Sequence, residues 1–195
     1  MKIFMNTLLG AALLALPAMG FAAKMDVDTK KSSIGWVGKK VTGQHNGILK
    51  LKSGTFNLAE GKGTFVMDMK SIDTKDLSGD TKKKLDGHLK SDDFFNVKKY
   101  PEAKFVLESV KPEGAAKDGK QKYKMTGELT IKGIGKKISF TGEYQAAKKM
   151  LAADFKINRT EWDIKYNSGK FFDPAKLADK LIYDDIDIQL SLVGK

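Results

Sequence analysis

Apolar side chains recur at every second position through much of this 195-residue chain. The spacing is clear in residues 65–70, in residues 123–131 and in residues 186–192. Successive side chains of an extended strand point to opposite faces, so this alternation predicts strands with one apolar and one solvated face. Gly, Asn, Asp and Lys separate the segments, as turns between strands require. The sequence therefore predicts an all-β fold.

The number of these segments indicates how the sheet is arranged. About eight strands follow the N-terminal segment, which is the number at which a closed barrel can hold one small ligand. An open sheet of this size would leave long unpaired edges, and closure removes them. Gly127 and Gly142 on predicted inward faces indicate either room for a ligand or tight bends. We therefore predict an eight-stranded antiparallel β-barrel, with a break at Ser53-Gly54.

Two segments lack the alternation and are predicted to be short helices. Leu85 and Leu89 share one face of residues 79–90 at a spacing of four. In residues 173–180, Pro174 directly follows Asp173, an arrangement typical of a capped helix start. The barrel is therefore expected to carry one or two short helices.

The first 22 residues have the features of a cleaved signal peptide. Lys2 supplies a positive start, residues 3–16 are mostly apolar, and Gly20 and Ala22 frame a cleavage site. Residues 23–195 would then be one domain, large enough to bury its own core. The chain contains no cysteine, which excludes disulfides, thiolate metal sites and a thiol-anchored lipoprotein.

The charge of the chain restricts its partners. The formal net charge is +11, of which Lys2 in the predicted signal peptide supplies one. Such a charge attracts anionic partners, so a transient contact with a membrane surface is one expectation. The lysines are spread along the chain as on a solvated outer face, and no basic aromatic motif of the RNA-binding type occurs. Nucleic acid is therefore not an expected partner.

Arg159 is the single arginine among 35 basic residues. A guanidinium forms forked hydrogen bonds that lysine cannot reproduce, so this position requires arginine for its geometry. One explanation is an internal salt bridge to an acid such as Asp92, Asp93 or Glu161 that organises one end of the barrel, and this explanation is favoured. The other is contact with the polar head of a ligand.

The other residues that could act in catalysis or bind a metal give little support for an enzyme. His45 lies in a predicted turn bounded by glycines, which favours a solvated or turn-bonding role. His88 shares a helix face with Leu85, where it either lines a cavity mouth or is a structural histidine with satisfied hydrogen bonds, the favoured role. The adjacent carboxylates of Asp92 and Asp93 usually face apart. No metal-binding histidine spacing, nucleophile elbow or phosphate loop occurs, so neither metal nor cofactor is expected.

Several segments together resemble the YceI-like family, by their order and spacing over nearly the whole predicted mature chain. They are residues 88–105, 42–47 with 51–54, 127–133, 157–162 and 185–188. The Thr-Gly-Gln-His-Asn-Gly turn at 42–47 is typical of a variant branch. The resemblance implies a bacterial periplasmic protein with a lipocalin-like β-barrel that binds a polyisoprenoid-type lipid.

The resemblance also implies where such a lipid would lie. Phe94 and Phe95 are adjacent, so we expect them to point different ways, one into the core and one to the cavity wall. The residues expected at the ligand are Phe94, Phe95, Met67, Met69, Phe140, His88 and Arg159. The implied function is sequestering or carrying an isoprenoid quinone or a polyprenyl phosphate, and a homodimer is consistent with a small carrier. A stress-related interaction module with a filled core and an enzyme acting on such a lipid are the alternatives.

Overall fold

A computed structural model describes residues 24–195, and the predicted signal peptide, residues 1–22, lies outside the described residues. The strands of this part of the chain form one antiparallel sheet. They are β1 Met25–Asp26, β2 Ser33–Lys40, β3 Gly43–Asn57, β4 Lys62–Thr74, β5 Glu102–Lys117, β6 Lys120–Ile131, β7 Ile134–Gln145, β8 Met150–Asn158 and β9 Ile182–Val193.

The sheet closes on itself between β3 and β4. Its order is β1-β3-β2-β9-β8-β7-β6-β5-β4. An additional pairing between β3 and β4 closes the eight strands from β2 through β9 into a ring. The predicted antiparallel β-barrel is therefore confirmed. The predicted break at Ser53-Gly54 is wrong, because β3 continues through it. A register shift between Leu51 and Ser53 marks a bulge, which bends the strand without ending it.

Both predicted helices are present. The first, α1, spans Gly79–Lys90, and the second, α2, spans Pro174–Leu177 and continues as a 3₁₀ turn at Ala178–Lys180. The side chain of Asp173 caps α2 by accepting a hydrogen bond from the backbone N of Ala175 at 3.0 Å. Within residues 24–195, neither helix has the length and apolar character needed to cross a bilayer.

One end of the barrel is sealed by the N-terminal strand. Met25 pairs with Phe56 of β3, and Val27 forms a bridge to Gly194 beyond the end of β9. The Tyr144 hydroxyl lies 3.8 Å from the sulfur of Met25. Phe56 is only 1% exposed, so these contacts cover its side chain at this end of the barrel.

The opposite end carries the two long connections, residues 75–101 and 159–181. Here α1 is fixed against the end of β4, because Asp86 accepts hydrogen bonds from the backbone N and Oγ1 of Thr74 at 3.0 and 2.6 Å. Lys82 donates to both Asp86 and Asp73. Hydrogen bonds from Lys75 and Lys82 lower the pKa of Asp73 from 3.8 to about 2. This polar cluster ties the helix to the barrel.

Gly127 of β6 shows how tightly the barrel wall is packed. A Cβ at this position would lie 2.3 Å from the carbonyl oxygen of Val106 and 2.7 Å from the Phe105 ring. The glycine thus permits a close backbone approach beneath an aromatic ring and leaves no free room for a ligand. Gly38 of β2 is the opposite case, because a Cβ there would meet no atom of a non-adjacent residue within 4 Å.

We expect Gly127→Ala to lower the free energy of unfolding by about 2 kcal/mol, since the methyl group forces a backbone carbonyl or an aromatic ring to shift. Gly38→Ala, a matched strand glycine with open space, should leave it within about 0.5 kcal/mol. Chemical denaturation followed by tryptophan fluorescence measures both. Equal effects at the two positions would contradict the close packing described for Gly127.

The lowered pKa of Asp73 also predicts how stability depends on pH. A carboxyl group with a depressed folded-state pKa stabilises the fold above its unfolded value of 3.8, and this contribution is lost as the pH falls toward about 2. The melting temperature of Asp73→Asn should therefore fall less than that of the wild type between pH 4 and pH 2. Asp80→Asn, which removes an exposed carboxylate of the same helix region, should follow the wild type. If the melting temperatures of all three proteins change with pH in parallel, Asp73 does not contribute to the pH dependence of stability.

Candidate functional site

An apolar cavity of about 180 Å³ lies inside the barrel. A void for a single water is roughly 10–15 Å³ on the same scale, so the cavity is far larger than a packing defect. All eight strands of the ring contribute side chains to its wall. Among the described residues that line it, Arg159 is the one that carries a formal charge.

The structure places most of the predicted ligand-binding residues in the cavity wall. Those that line it are Phe94, Phe95, Met67, Met69, Phe140 and Arg159. His88 does not line it. The alternation of the sequence led to Met67, Met69 and Phe140, whereas the family resemblance led to the two adjacent phenylalanines. Contact of these residues with a ligand stays a prediction.

Phe94 and Phe95 do not point apart as predicted. Their rings are in edge-to-face contact, with centroids 5.0 Å apart, and both line the cavity. The backbone explains this, because the segment is a compact turn in which Phe94 N donates to Ser91 O and Phe95 N donates to Leu89 O. Strict alternation applies to extended strands and does not hold in such a turn.

Arg159 is 1% exposed and is held by backbone carbonyl groups. Its Nη1 donates to Ile164 O at 2.8 Å, its Nη2 to Ile182 O at 3.1 Å and its Nε to Tyr183 O at 3.3 Å. Nη2 also lies 3.2 Å from Oδ1 of Asp184, an ion pair without hydrogen-bond geometry. The guanidinium therefore joins the end of β8 to the start of β9.

The predicted acidic partners of Arg159 are wrong, since it pairs with Asp184 and not with Asp92, Asp93 or Glu161. Burial lowers the pKa of Arg159, and the charge of Asp184 opposes that shift. Three of the five N–H groups of the guanidinium donate to carbonyl oxygens, so few hydrogen-bond donors are left for a ligand. The favoured structural role of Arg159 fits this geometry better than a head-group contact.

The two histidines lie away from the cavity wall. His88 packs between Phe94 and Tyr166, with ring centroids 5.7 and 4.4 Å away, and its buried Nε2 has no hydrogen-bond partner within residues 24–195. The expectation that its hydrogen bonds are satisfied is therefore wrong for Nε2. His45 lies in β3 and not in a turn, and its Nδ1 is 2.9 Å from Oδ2 of Asp76.

Trp36 is a wall residue that is not among the residues expected at the ligand. It lines the cavity, and its Nε1 is buried with no hydrogen-bond acceptor in the described part of the chain. Trp162 differs, because it is 0% exposed and its Nε1 donates to Leu129 O at 3.0 Å. The alternation with Ile34 places Trp36 on an inward face, but no sequence signal separates an unpaired indole N–H from a paired one.

The cavity reaches the surface at the end opposite β1. Tyr183, near the start of β9, lines the cavity and is also 50% exposed. We call this opening the mouth. Within the described range, no group of three or more His, Asp or Glu side chains is placed to hold a metal ion. The arrangement can hold an apolar molecule, and the buried indole N–H of Trp36 beside it has no acceptor among the described residues.

We expect Arg159→Lys to lower the free energy of unfolding by about 3 kcal/mol, because an ammonium group cannot satisfy three divergent carbonyl oxygens and leaves polar groups buried without partners. Lys98→Arg, at an exposed position, exchanges the same two residue types and should change it by less than about 0.5 kcal/mol. Urea denaturation compares the two variants. Small and equal effects would mean that lysine can replace the guanidinium.

Comparison with known proteins places this chain in a family. The model of the YceI-like domain matches residues 25–194. A UPF0312 protein of Pseudomonas putida strain W619 is 32% identical over 157 residues, which are 76% of this chain and 75% of that protein.

Two solved structures share the fold. BcnA of Burkholderia cenocepacia is 24% identical, with a TM-score of 0.65 over 87% of this chain and 100% of that one. A polyisoprenoid binding domain from Saccharophagus degradans is 16% identical, with a TM-score of 0.66 over 87% of this chain and 97% of that one. At these identities the likeness shows the fold alone. The match to the domain model and the relative from Pseudomonas putida show that the chain belongs to the YceI-like family.

Proposed function

We propose that this protein is a periplasmic binding protein that carries an isoprenoid-type lipid in the barrel cavity. The observation that carries the proposal is the cavity inside the barrel, whose wall is almost entirely apolar. Burial of a hydrocarbon chain there is favourable by about 0.8 kcal/mol for each CH₂ group. The shared fold of the polyisoprenoid binding domain from Saccharophagus degradans supports the same ligand class. The predicted signal peptide supports the location.

The wall of the cavity favours binding over catalysis. A general acid or base has to come within hydrogen-bond reach of the reacting group. Neither His45 nor His88 lines the cavity, and Asp92 and Asp93 are exposed in the turn that follows α1. The cavity volume likewise favours a ligand over the filled core of an interaction module.

The polar groups of the wall favour a neutral head group over a phosphate. Burying a phosphate requires a cation that is free to pair with it, and the carbonyl groups and Asp184 already occupy Arg159. The indole N–H of Trp36 has no acceptor within residues 24–195, and a small shift of the ring toward the cavity would let it donate to a carbonyl or hydroxyl oxygen. An isoprenoid quinone thus fits these groups better than a polyprenyl phosphate does.

The cavity has to widen for a long chain. Its volume of about 180 Å³ is below the 300–1,000 Å³ that is typical of sites for drug-sized ligands. Three methionines, Met67, Met69 and Met125, belong to the wall. Their unbranched, flexible side chains can change rotamer at low cost and follow an irregular ligand.

Native mass spectrometry of protein purified from the periplasm tests the proposal. We expect one isoprenoid lipid per barrel, and organic extraction should release it for identification. Protein that arrives empty, and stays empty after incubation with isoprenoid quinones and polyprenyl phosphates, would contradict it.

Trp36→Phe tests the proposed hydrogen bond. The variant keeps an aromatic ring in the wall but lacks the N–H, so its affinity for an isoprenoid quinone should fall about fivefold to tenfold, as expected for one lost hydrogen bond. Affinity for squalene, an isoprenoid without oxygen, should be unchanged and is the matched control. Equal losses for both ligands would mean that Trp36 contributes only packing.

A further inference from the structure

The large apolar side chains that are exposed in the described part of the chain all lie around the mouth. They are Val41, Tyr166, Phe171, Phe172 and Tyr183, with exposed fractions between 38% and 53%. We call these five residues the rim patch. Clustered exposed apolar residues on an otherwise charged surface mark a site of interaction.

Backbone hydrogen bonds hold the members of the rim patch together. Val41 N donates to Leu181 O at 3.2 Å, which joins the β2–β3 turn to the start of β9. Ile182 N donates to Asn167 O at 2.9 Å, which brings the segment that carries Tyr166 to the same place. Phe171 N and Phe172 N both donate to Ser168 O. The patch therefore belongs to a fixed part of the barrel end.

Lysines accompany these aromatic residues. The Nζ atoms of Lys165 and Lys170 lie 5.1 and 5.8 Å from the ring centroid of Phe171. Lys165 is paired with Asp163, but Lys170 and Lys176 are exposed and form no ion pair within residues 24–195. Aromatic rings with neighbouring lysines are typical of protein surfaces that bind at the interface of anionic membranes.

The position of the cavity favours a lipid surface as the partner. Each methylene group that passes through water adds to the free-energy barrier for transfer. An isoprenoid chain therefore moves most easily between bilayer and cavity when it does not contact water on the way. Tyr183 belongs to both the cavity wall and the rim patch. When the patch lies on a bilayer, the cavity opens directly toward the hydrocarbon region.

We propose that the rim patch docks the protein on the surface of an anionic phospholipid bilayer, with Phe171 and Phe172 inserted among the head groups. Lys170 and Lys176 then face the anionic phosphates, and the formal net charge of +11, less the one charge of Lys2 in the predicted signal peptide, attracts the protein to the surface. The benefit of this orientation rests on the proposed lipid-carrying function, but docking itself can be measured without any isoprenoid.

A tryptophan reporter tests the orientation directly. Phe172→Trp places an indole in the rim patch, and Ala116→Trp places one on the exposed β5–β6 hairpin at the sealed end. Vesicles of phosphatidylcholine with phosphatidylglycerol, free of isoprenoid lipid, are the probe. The rim reporter should shift its emission to the blue and be quenched by brominated acyl chains, whereas the hairpin reporter should do neither. Equal responses from the two reporters would overturn the proposal.

Loss-of-binding variants test the contributions of the side chains. Phe171→Ser/Phe172→Ser and Lys170→Gln/Lys176→Gln should each reduce co-sedimentation with these vesicles about tenfold, because each removes two interfacial contacts. Lys117→Gln/Lys122→Gln removes the same charge at the sealed end and should have a much smaller effect. Circular dichroism confirms that each variant is folded. If both rim variants bind the vesicles as strongly as the wild type does, the proposal is overturned.

Two further measurements distinguish a failure of bilayer docking from a failure of the proposed lipid-carrying function. Sedimentation equilibrium tests whether the patch instead joins two copies of the chain, and a dimer that the Phe171→Ser/Phe172→Ser variant abolishes would overturn bilayer docking. Native mass spectrometry of the Phe172→Trp reporter protein reports its bound lipid. A loaded protein whose rim reporter ignores vesicles refutes docking and leaves the lipid-carrying function intact, while an empty protein that still docks refutes only that function.

Discussion

Pairing between β3 and β4 is the constraint on which the rest of the structure depends. The first part of β3 pairs with β2 and the later part pairs with β4, so this one strand belongs to both sides of the closure. Register shifts after Ile48 and after Leu51 bend it between its two partners. Without this closure, β3 and β4 would be open edges and the apolar inner faces of all the strands would meet water.

Arg159 has a comparable role at the mouth, on a smaller scale. The backbone carbonyl groups of Ile164, Ile182 and Tyr183 need donors where the regular pairing of β8 and β9 ends. One guanidinium supplies three divergent N–H groups to them. Burial of the charge is unfavourable, as the lowered pKa of Arg159 shows, but the carbonyl dipoles and Asp184 offset it. This geometry explains a lone arginine in a chain whose other basic residues are lysines.

The sequence predicted the features that depend on periodicity and local signals. Alternation identified the inward faces, including Phe65, Met67 and Met69, and the Asp173-Pro174 pair identified the start of α2. It could not predict features that depend on contacts between distant segments. Asp184 as the partner of Arg159 and the unpaired N–H of Trp36 each require the closed barrel, whereas the edge-to-face contact of Phe94 with Phe95 comes from a local turn that strand alternation does not describe. His45 was misplaced because glycines on both sides of it suggest a turn, although here they occur in a paired strand.

The distribution of charge connects the fold to the proposed ligand. Lys170 and Lys176 are exposed near the mouth, whereas Arg159, the one cation among the described residues of the cavity wall, is bound to groups of the protein itself. A charged head group would therefore be stabilised outside the mouth and not inside the barrel. On the proposed function, a neutral head would lie near Trp36 and its tail would be directed toward Phe56, and both residues line the cavity. The barrel would thus discriminate between lipids by the free energy of burying their head groups, because its wall offers apolar contacts to the tail and few partners to a polar head.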